Sequence, residues 1–259
     1  MYNERQKKII HHLSEVRGAK IEELAELFHV SMETIRRDLM ELEKDSSIKR
    51  IRGGAVYNNL RAREMEFSKK MQNNQQGKHA IANLAMGYIN NGDAIAMNNG
   101  ITTLTLAKCL LRERQRLTVV TNSPDIALTL SDNESNQVFL TSGYLRRHNK
   151  SLVGGLCCEC LDYFKVDKTI LSVDGVSIRE GITEYNTEEA CILKKMLEIG
   201  HTKMILCEFS KFREVAFYKV CAADTIDYIF TDHSLPVRDM KLWNDIGVKV
   251  LASPGVGRG

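Results

Sequence analysis

Four stretches of this chain combine residue types and spacings suited to holding anions. Met97-Asn98-Asn99-Gly100-Ile101-Thr102-Thr103 follows an apolar run and opens a helix. Free backbone N–H groups and threonine hydroxyls gather there into a cradle for negative charge. The loop lacks the lysine and second glycine of a triphosphate-binding P-loop. Thr121-Asn122-Ser123 is a second polar junction before a capped helix, and Glu208-Phe209-Ser210-Lys211 is a third, where Lys211 offers a phosphate a point charge. Taken singly, these also read as plain helix starts and a solvated lysine. The fourth stretch lies near the front of the chain. Ser31 caps a helix carrying Glu33, Thr34, Arg36 and Arg37, and Ile48-Lys49-Arg50-Ile51-Arg52 then alternates apolar and basic residues. Arginine forks meet guanine edges or phosphates in a DNA major groove, and a basic strand follows the phosphate backbone.

Other candidates point elsewhere. Cys157-Cys158-Glu159-Cys160 has no second Cys/His pair at zinc-finger spacing and reads as idle or buried thiols. Glu188-Glu189 fits an acid/base pair, and equally acids placed in the first turn of a helix for its dipole. The 7 histidines are scattered, without a neighbouring nucleophile.

The elements that position these residues are legible in the apolar pattern. Ile9, Ile10, Leu13 and Val16 form the stripe of a first helix, which Gly18 stops. A second runs from Ile21 to Phe28, and a third buries Ile35, Leu39 and Leu42. With about 100° per residue and Ile35 facing inward, Glu33 and Arg37 point outward, flanked by Thr34 and Arg36. Residues 48–56 then read as a hairpin wing. From residue 57 to 77 the composition is polar and weakly periodic, a linker. Beyond it, helices at about 79–89, after Gly100, after Ser123, at 187–199 and around 240–246 alternate with strands at 94–97, 117–121, 138–141, 168–173, 204–208 and 228–231. Such alternation predicts a mainly parallel sheet covered by helices, with ligands beyond the carboxyl ends of its strands.

Composition sets the bounds. A chain of 259 residues, 43% hydrophobic and 27% charged, suits one large domain or a small and a medium one. With 3 Pro and 17 Gly it is neither fibrous nor of low complexity. No apolar run approaches the ~20 residues of a membrane span, and the polar start lacks an export signal. The odd count of 7 cysteines fits reduced thiols, so a cytoplasmic location is expected. A net charge of +3 is no nucleic-acid signature, so any DNA-binding surface must be local.

The N-terminal run Val30-Ser31-Met32-Glu33-Thr34-Ile35-Arg36-Arg37-Asp38-Leu39, with Leu42-Glu43, Ile48-Lys49-Arg50 and Gly53-Gly54-Ala55, resembles the helix-turn-helix of the DeoR family of bacterial transcriptional regulators. It departs at Ser46, where the family places a glycine. Asn98-Asn99-Gly100-Ile101-Thr102-Thr103 is similar to the family's Asp-Ser-Gly-Thr-Thr-Thr loop, with Asn98 and Ile101 as departures. Val120-Thr121-Asn122-Ser123, Gly143-Tyr144-Leu145-Arg146, Ser151-Leu152-Val153-Gly154, Asp174-Gly175, Gly181-Ile182-Thr183 and Ser210-Lys211-Phe212 also have counterparts.

The resemblance implies an α/β chain. A winged helix-turn-helix covers residues 1–57, a linker 58–77, and an effector domain 78–259 whose fold resembles ribose-5-phosphate isomerase and CoA transferases. It implies contacts to double-stranded operator DNA from Ser31, Glu33, Thr34, Arg36, Arg37, Lys49, Arg50 and Arg52. It gathers Asn98, Gly100, Thr102, Thr103, Asn122, Ser123, Gly143, Asp174 and Lys211 into one pocket for a phosphorylated sugar. The implied protein is a homo-oligomeric repressor of a carbohydrate operon, without metal or cofactor, membrane contact or catalysis. The rival is a sugar-phosphate isomerase-like enzyme carrying a DNA-binding arm. Against it, Asp174-Gly175 continues Val176-Ser177 where the isomerases' motif has its second acid.

Overall fold

The computed structural model describes residues 3–16, 18–44, 48–51, 53–57, 74–147 and 149–253. They divide into two compact units, Met1–Asn73 and Asn74–Gly259.

The first unit runs α1 (Glu4–Val16), β1 (Gly18–Lys20), α2 (Ile21–Leu27), α3 (Met32–Lys44), β2 (Ile48–Ile51) and β3 (Gly54–Tyr57). The helical stripes meet as the spacing requires: Ile9, Leu13, Leu24, Ile35, Leu39 and Leu42 are buried together with Ile48 and Ala55. Val16, grouped with that stripe by its spacing, is instead 50% exposed. It is the last residue of α1, past the turns that Ile9 and Leu13 bury. The chain after it does not merely stop. It forms β1, antiparallel to β3 with Ala19 opposite Ala55, so the sheet order is β1-β3-β2. Gly54 permits that approach, because a Cβ there would lie 2.4 Å from the Ala19 carbonyl oxygen. In the wing, Ile51 pairs with Gly54, and Gly53 takes φ +82°, a backbone that favours glycine.

The acid after the two arginines is part of this core. Asp38 is buried, accepting from Arg5 Nε at 2.6 Å and from Gln6 Nε2 at 3.2 Å, which ties α3 to α1. Removing one partner of such a pair strands the other. With Arg5 partly in water the expected cost of Asp38→Ala is about 2 kcal/mol. Amide hydrogen exchange in α1 and α3 should then quicken roughly 30-fold. Unchanged protection would contradict the tie.

The second unit begins with α4 (Gln75–Met86), β4 (Ala94–Met97), α5 (Ile101–Glu113), β5 (Thr118–Thr121), α6 (Pro124–Ser131) and β6 (Gln137–Leu140). A hairpin β7 (Tyr144–Arg146) and β8 (Ser151–Val153), then α7 (Gly155–Leu161), lead to β9 (Val166–Ser172). After β10 (Gly175–Ser177), β11 (Gly181–Glu184) and α8 (Thr187–Ile199) come β12 (Gly200–Leu206), β13 (Tyr218–Cys221), β14 (Tyr228–Thr231), α9 (Val237–Asp245) and β15 (Lys249–Ala252). Seven strands form one sheet in the order β15-β14-β12-β9-β4-β5-β6, every neighbouring pair parallel. Alternate residues face opposite layers. Ile95, Met97, Val119, Ile170, Met204 and Phe230 pack with α4 to α6, whereas Ala96, Val120, Leu171, Ile205 and Ile229 pack with α7 to α9.

The sheet grows one way from β4 through β5 and β6, and the other way from β9 outward. The crevice between the carboxyl ends of β4 and β9 is therefore the switch point at which such sheets take ligands. Three details differ from the apolar pattern. Helix α4 starts four residues before His79, where Asn74 caps it through Gly77 N. Tyr88 lies past its end and is 39% exposed, its ring against Tyr228 and Phe230. The hairpin β7–β8, the small antiparallel sheet β10-β11-β13, α7 and the edge strand β15 are elements too short for periodicity to reveal.

Candidate functional site

The start of α3 shows how its side chains are sorted. Thr34 N donates to Ser31 Oγ at 3.2 Å, and the two hydroxyls lie 2.9 Å apart, so Ser31 is the cap that fixes where the helix begins. Burial of Ile35, Asp38, Leu39 and Leu42 turns Glu33, Arg36 and Arg37 outward. Arg36 Nη1 lies 3.3 Å from Glu33 Oε2, a surface pair that solvent screens. The Arg37 side chain makes no hydrogen bond or ion pair with a described residue. Arg36 and Arg50 line one groove with Ile21, Leu39, Ile51 and Gly54, so helix and wing offer their cations to the same concavity.

The wing arginine is not loose. Arg50 donates from its backbone N to Glu43 Oε1 at 3.0 Å and from Nε to Glu43 Oε2 at 2.7 Å. These bonds, the backbone one first, hold the Glu43 carboxyl below its ordinary range. Glu43, quoted above only as part of the Leu42-Glu43 match, thus positions the wing arginine. Ser46, Arg52 and the side chain of Lys49 lie outside the described residues.

In the second unit the strand-end loops converge. Asn98 and Ser172 bond reciprocally, Asn98 Nδ2 to Ser172 O at 2.9 Å and Ser172 N to Asn98 Oδ1 at 2.8 Å. Gly100 then sits so close that a Cβ would be 2.8 Å from Ser172 Cβ. Lys211 Nζ donates to the carbonyl oxygen of Val173, the next residue, at 2.6 Å. On the other side, Asn99 N donates to Asn122 Oδ1 at 2.8 Å, and Ser123 Oγ to Asn99 Oδ1 at 2.8 Å. The loops carrying Asn98, Gly100, Asn122, Ser123 and Lys211 are therefore one connected rim. Above them α5 begins at Gly100 without a side-chain cap, its first N–H groups unpaired within the helix.

Not every expected contact is placed alike. Thr103 Oγ1 is spent inside the loop, donating to the carbonyls of Asn98 and Gly100, both at 2.9 Å. Thr102 is buried. Gly143, at φ +120°, lets the loop after β6 lie on β8, where a Cβ would be 2.4 Å from Val153 O. Its place is in shaping the hairpin. That hairpin reaches the rim through Asn149, whose carbonyl accepts from Asn99 Nδ2 at 2.9 Å.

Asp174 has acidic company. Burial pushes the Glu184 carboxyl well above its ordinary range, followed by the charge of Asp174 and a hydrogen bond to it, then the charge of Glu189. Glu189 in turn accepts from Asn149 Nδ2 at 2.8 Å, from the Ser151 hydroxyl, and pairs with Arg146. The missing acid at Ser177 therefore does not leave Asp174 alone, since Glu184 and Glu189 arrive from β11 and α8. Asn99, Asn149, Ser172, Glu184, Glu189 and Arg146 were absent from the expected site. Three of them carried a signal: Asn99 lies inside the 98–103 run, Glu189 belongs to the Glu188-Glu189 pair, and Arg146 ends the Gly143-Tyr144-Leu145-Arg146 run.

The raised Glu184 has a consequence for stability. A carboxyl that holds its proton better when folded contributes stability fully present below its unfolded pKa, lost as pH rises through its folded value. The melting temperature should therefore fall as pH rises above the ordinary carboxylate range, and Glu184→Gln should flatten that slope. Equal slopes for the two proteins would refute the assignment.

Residues 73–233 match the DeoR C terminal sensor domain and residues 5–61 the DeoR-like helix-turn-helix domain. The chain is 34% identical to the uncharacterized HTH-type transcriptional regulator YulB of Bacillus subtilis strain 168, over 99% of this chain and 98% of that protein. It is 32% identical to the HTH-type transcriptional repressor GlcR of the same strain, over 82% of this chain and 81% of that protein. Ribose 5 phosphate isomerase A from Neisseria gonorrhoeae aligns with a TM-score of 0.39 at 13% identity, covering 52% of each chain, too distant to bear on activity. Two domain matches in the expected order, on a capped helix with outward arginines and a parallel sheet with a polar rim, lead to one conclusion: the chain belongs to the DeoR family of DNA-binding transcriptional regulators.

Proposed function

We propose that this regulator represses a carbohydrate operon and releases or tightens on its operator when a phosphorylated sugar occupies the rim at the carboxyl ends of β4, β5 and β9. The observation that carries the reading is the linkage of Lys211, Ser172, Asn98, Gly100, Asn99 and Asn122 through hydrogen bonds and one close glycine contact. The N–H groups opening α5 and the Lys211 ammonium suit the phosphate. Asn98, Asn122 and the Asp174–Glu184 pair supply donors and acceptors for sugar hydroxyls.

A path from this rim to the chain's entry into the unit lies close by. Glu208 precedes the 3-10 turn Phe209–Lys211, and Asn74 Nδ2 donates to Glu208 Oε2 at 2.9 Å and to Asp232 Oδ2 at 2.7 Å. Lys78 Nζ also pairs with Glu208, at 3.4 Å. A ligand that draws Lys211 away from Val173 O shifts Glu208 and so the anchorage of Asn74, where residues 58–73 end. In a homo-oligomer each chain contributes one half-site, and the effector acts by its differential affinity for two arrangements of the DNA-binding arms.

A thermal-shift screen tests the reading. A sugar phosphate present at 100 times its dissociation constant adds about 2.7 kcal/mol. If no pentose, hexose or triose phosphate raises the melting transition, the sensor assignment fails. The acidic company of Asp174 keeps an isomerase-like activity worth one assay. Incubation with pentose and hexose phosphates is expected to give no interconversion, in line with the regulator relatives.

A further inference from the structure

The run Cys157-Cys158-Glu159-Cys160 plays no part in the sites above, yet α7 sorts its thiols into different surroundings. Cys157 is buried against the Thr141 hydroxyl at 3.2 Å. Cys158, half-buried, places its Sγ 3.0 Å from Sγ of Cys191 on α8, which is exposed. A disulfide measures about 2.05 Å, so the two sulfurs stand roughly 1 Å short of bonding. Their helices are also braced by Lys195 Nζ on Asp162 Oδ1 at 2.8 Å, which holds the thiols near each other before any bond exists.

We propose that Cys158 and Cys191 form a redox modification site, a dithiol that a peroxide closes to an intrachain disulfide between α7 and α8. The exposed Cys191, as thiolate, attacks one oxygen of hydrogen peroxide. The O–O bond breaks, hydroxide leaves, and Cys191 becomes a sulfenic acid. Cys158 sulfur then attacks Cys191 sulfur, breaking its S–O bond, and the departing hydroxide takes the Cys158 proton as water. Two thiols and one peroxide give one disulfide and two waters, the sulfurs oxidised and the peroxide oxygens reduced. The order follows from the surroundings: burial first, then the hydrogen bond to Cys191, push the Cys158 thiol up to about 12, which suits the resolving partner and not the initiating one.

The bond would tie together the two helices that flank the β7–β8 hairpin. Helix α7 follows β8, and the first turn of α8 holds that hairpin through Glu188 on Tyr144 Oη at 2.5 Å and Glu189 on Asn149. An effect on effector response rests on the proposed function. The modification site itself does not.

Full-length protein treated with a few equivalents of hydrogen peroxide, alkylated and digested without reduction, decides the matter. The expected product is a monomer about 2 Da lighter with a Cys158–Cys191 crosslinked peptide, reversed by dithiothreitol. The crosslink should disappear in Cys158→Ser and in Cys191→Ser and persist in Cys160→Ser. Oxidised protein should melt higher than reduced protein, a difference absent from Cys191→Ser. Full alkylation of both cysteines after treatment, a bond to Cys160 instead, or dimers joined through Cys191 would each overturn the proposal.

Discussion

Replacing Arg36 and Arg37 together by alanine should weaken operator binding by a factor on the order of 10³ while leaving the melting profile within about 1 kcal/mol of the parent. The magnitude follows from the chemistry of a fork-shaped cation on a base edge or phosphate, with each such contact worth about 1–3 kcal/mol. The structural cost is small for a visible reason. Both side chains are exposed, that of Arg37 has no hydrogen bond or ion pair to a described residue, and Arg36 gives up only a solvent-screened pair with Glu33 at 3.3 Å. The neighbouring Asp38→Ala should show the reverse pattern, since that carboxylate is buried and bonded to α1. Fluorescence anisotropy at one fixed salt concentration measures the affinities, because the phosphate term alone moves them by decades with salt. A loss below threefold would remove α3 as the recognition helix.

Gly100→Val should abolish the response to a phosphorylated sugar while sparing operator binding. The backbone of Gly100 is extended, at φ −179°, so the demand for glycine is spatial. A Cβ would meet Ser172 Cβ at 2.8 Å and Thr103 Oγ1 at 2.9 Å, and the branches of valine would press further into the β4–β9 crevice. Relief requires parting the reciprocal Asn98–Ser172 bonds, which misplaces the N–H groups that open α5. Overpacking of this kind costs about 1–3 kcal/mol, which a unit with this core tolerates. The ligand-induced rise in melting temperature should vanish, and operator affinity without ligand should stay within threefold. A variant that still shifts with the same sugar phosphate would show that the ligand sits elsewhere.

Much of this was legible in the sequence where one physical signal acted alone. Period-3.6 stripes gave α1 to α3 because their core is a single apolar cluster, and strands buried on both faces read as short apolar runs between helices. Val16 misled because periodicity reports only the angle around a helix and not where its neighbours end. The elements of three or four residues, β1, β7, β8, β10 and β11, leave too few positions for any period to register. For the site, Asn98, Asn122, Ser123 and Lys211 announced themselves as polar residues at strand ends, and Gly100 as part of a loop that opens a helix. Glu184 did not, and Glu189 stood out only as half of an acid pair opening a helix, since the company Glu184 keeps with Asp174 and Glu189 arises when β11 and α8 pack together. The internal bonds of Thr103 and Arg50 were equally hidden: a hydroxyl or guanidinium looks the same in sequence whether its partner is a ligand, a carbonyl or Glu43.

The proposed regulation requires that occupancy of the rim in the second unit alter the grip of the arginines in the first on DNA. Titrating the protein–operator complex with a panel of phosphorylated sugars and their unphosphorylated counterparts measures this. At least one phosphorylated sugar should change operator affinity by about 5–150-fold, and its phosphate-free counterpart should not. Operator affinity indifferent to every sugar phosphate, or moved equally by the free sugars, would contradict it.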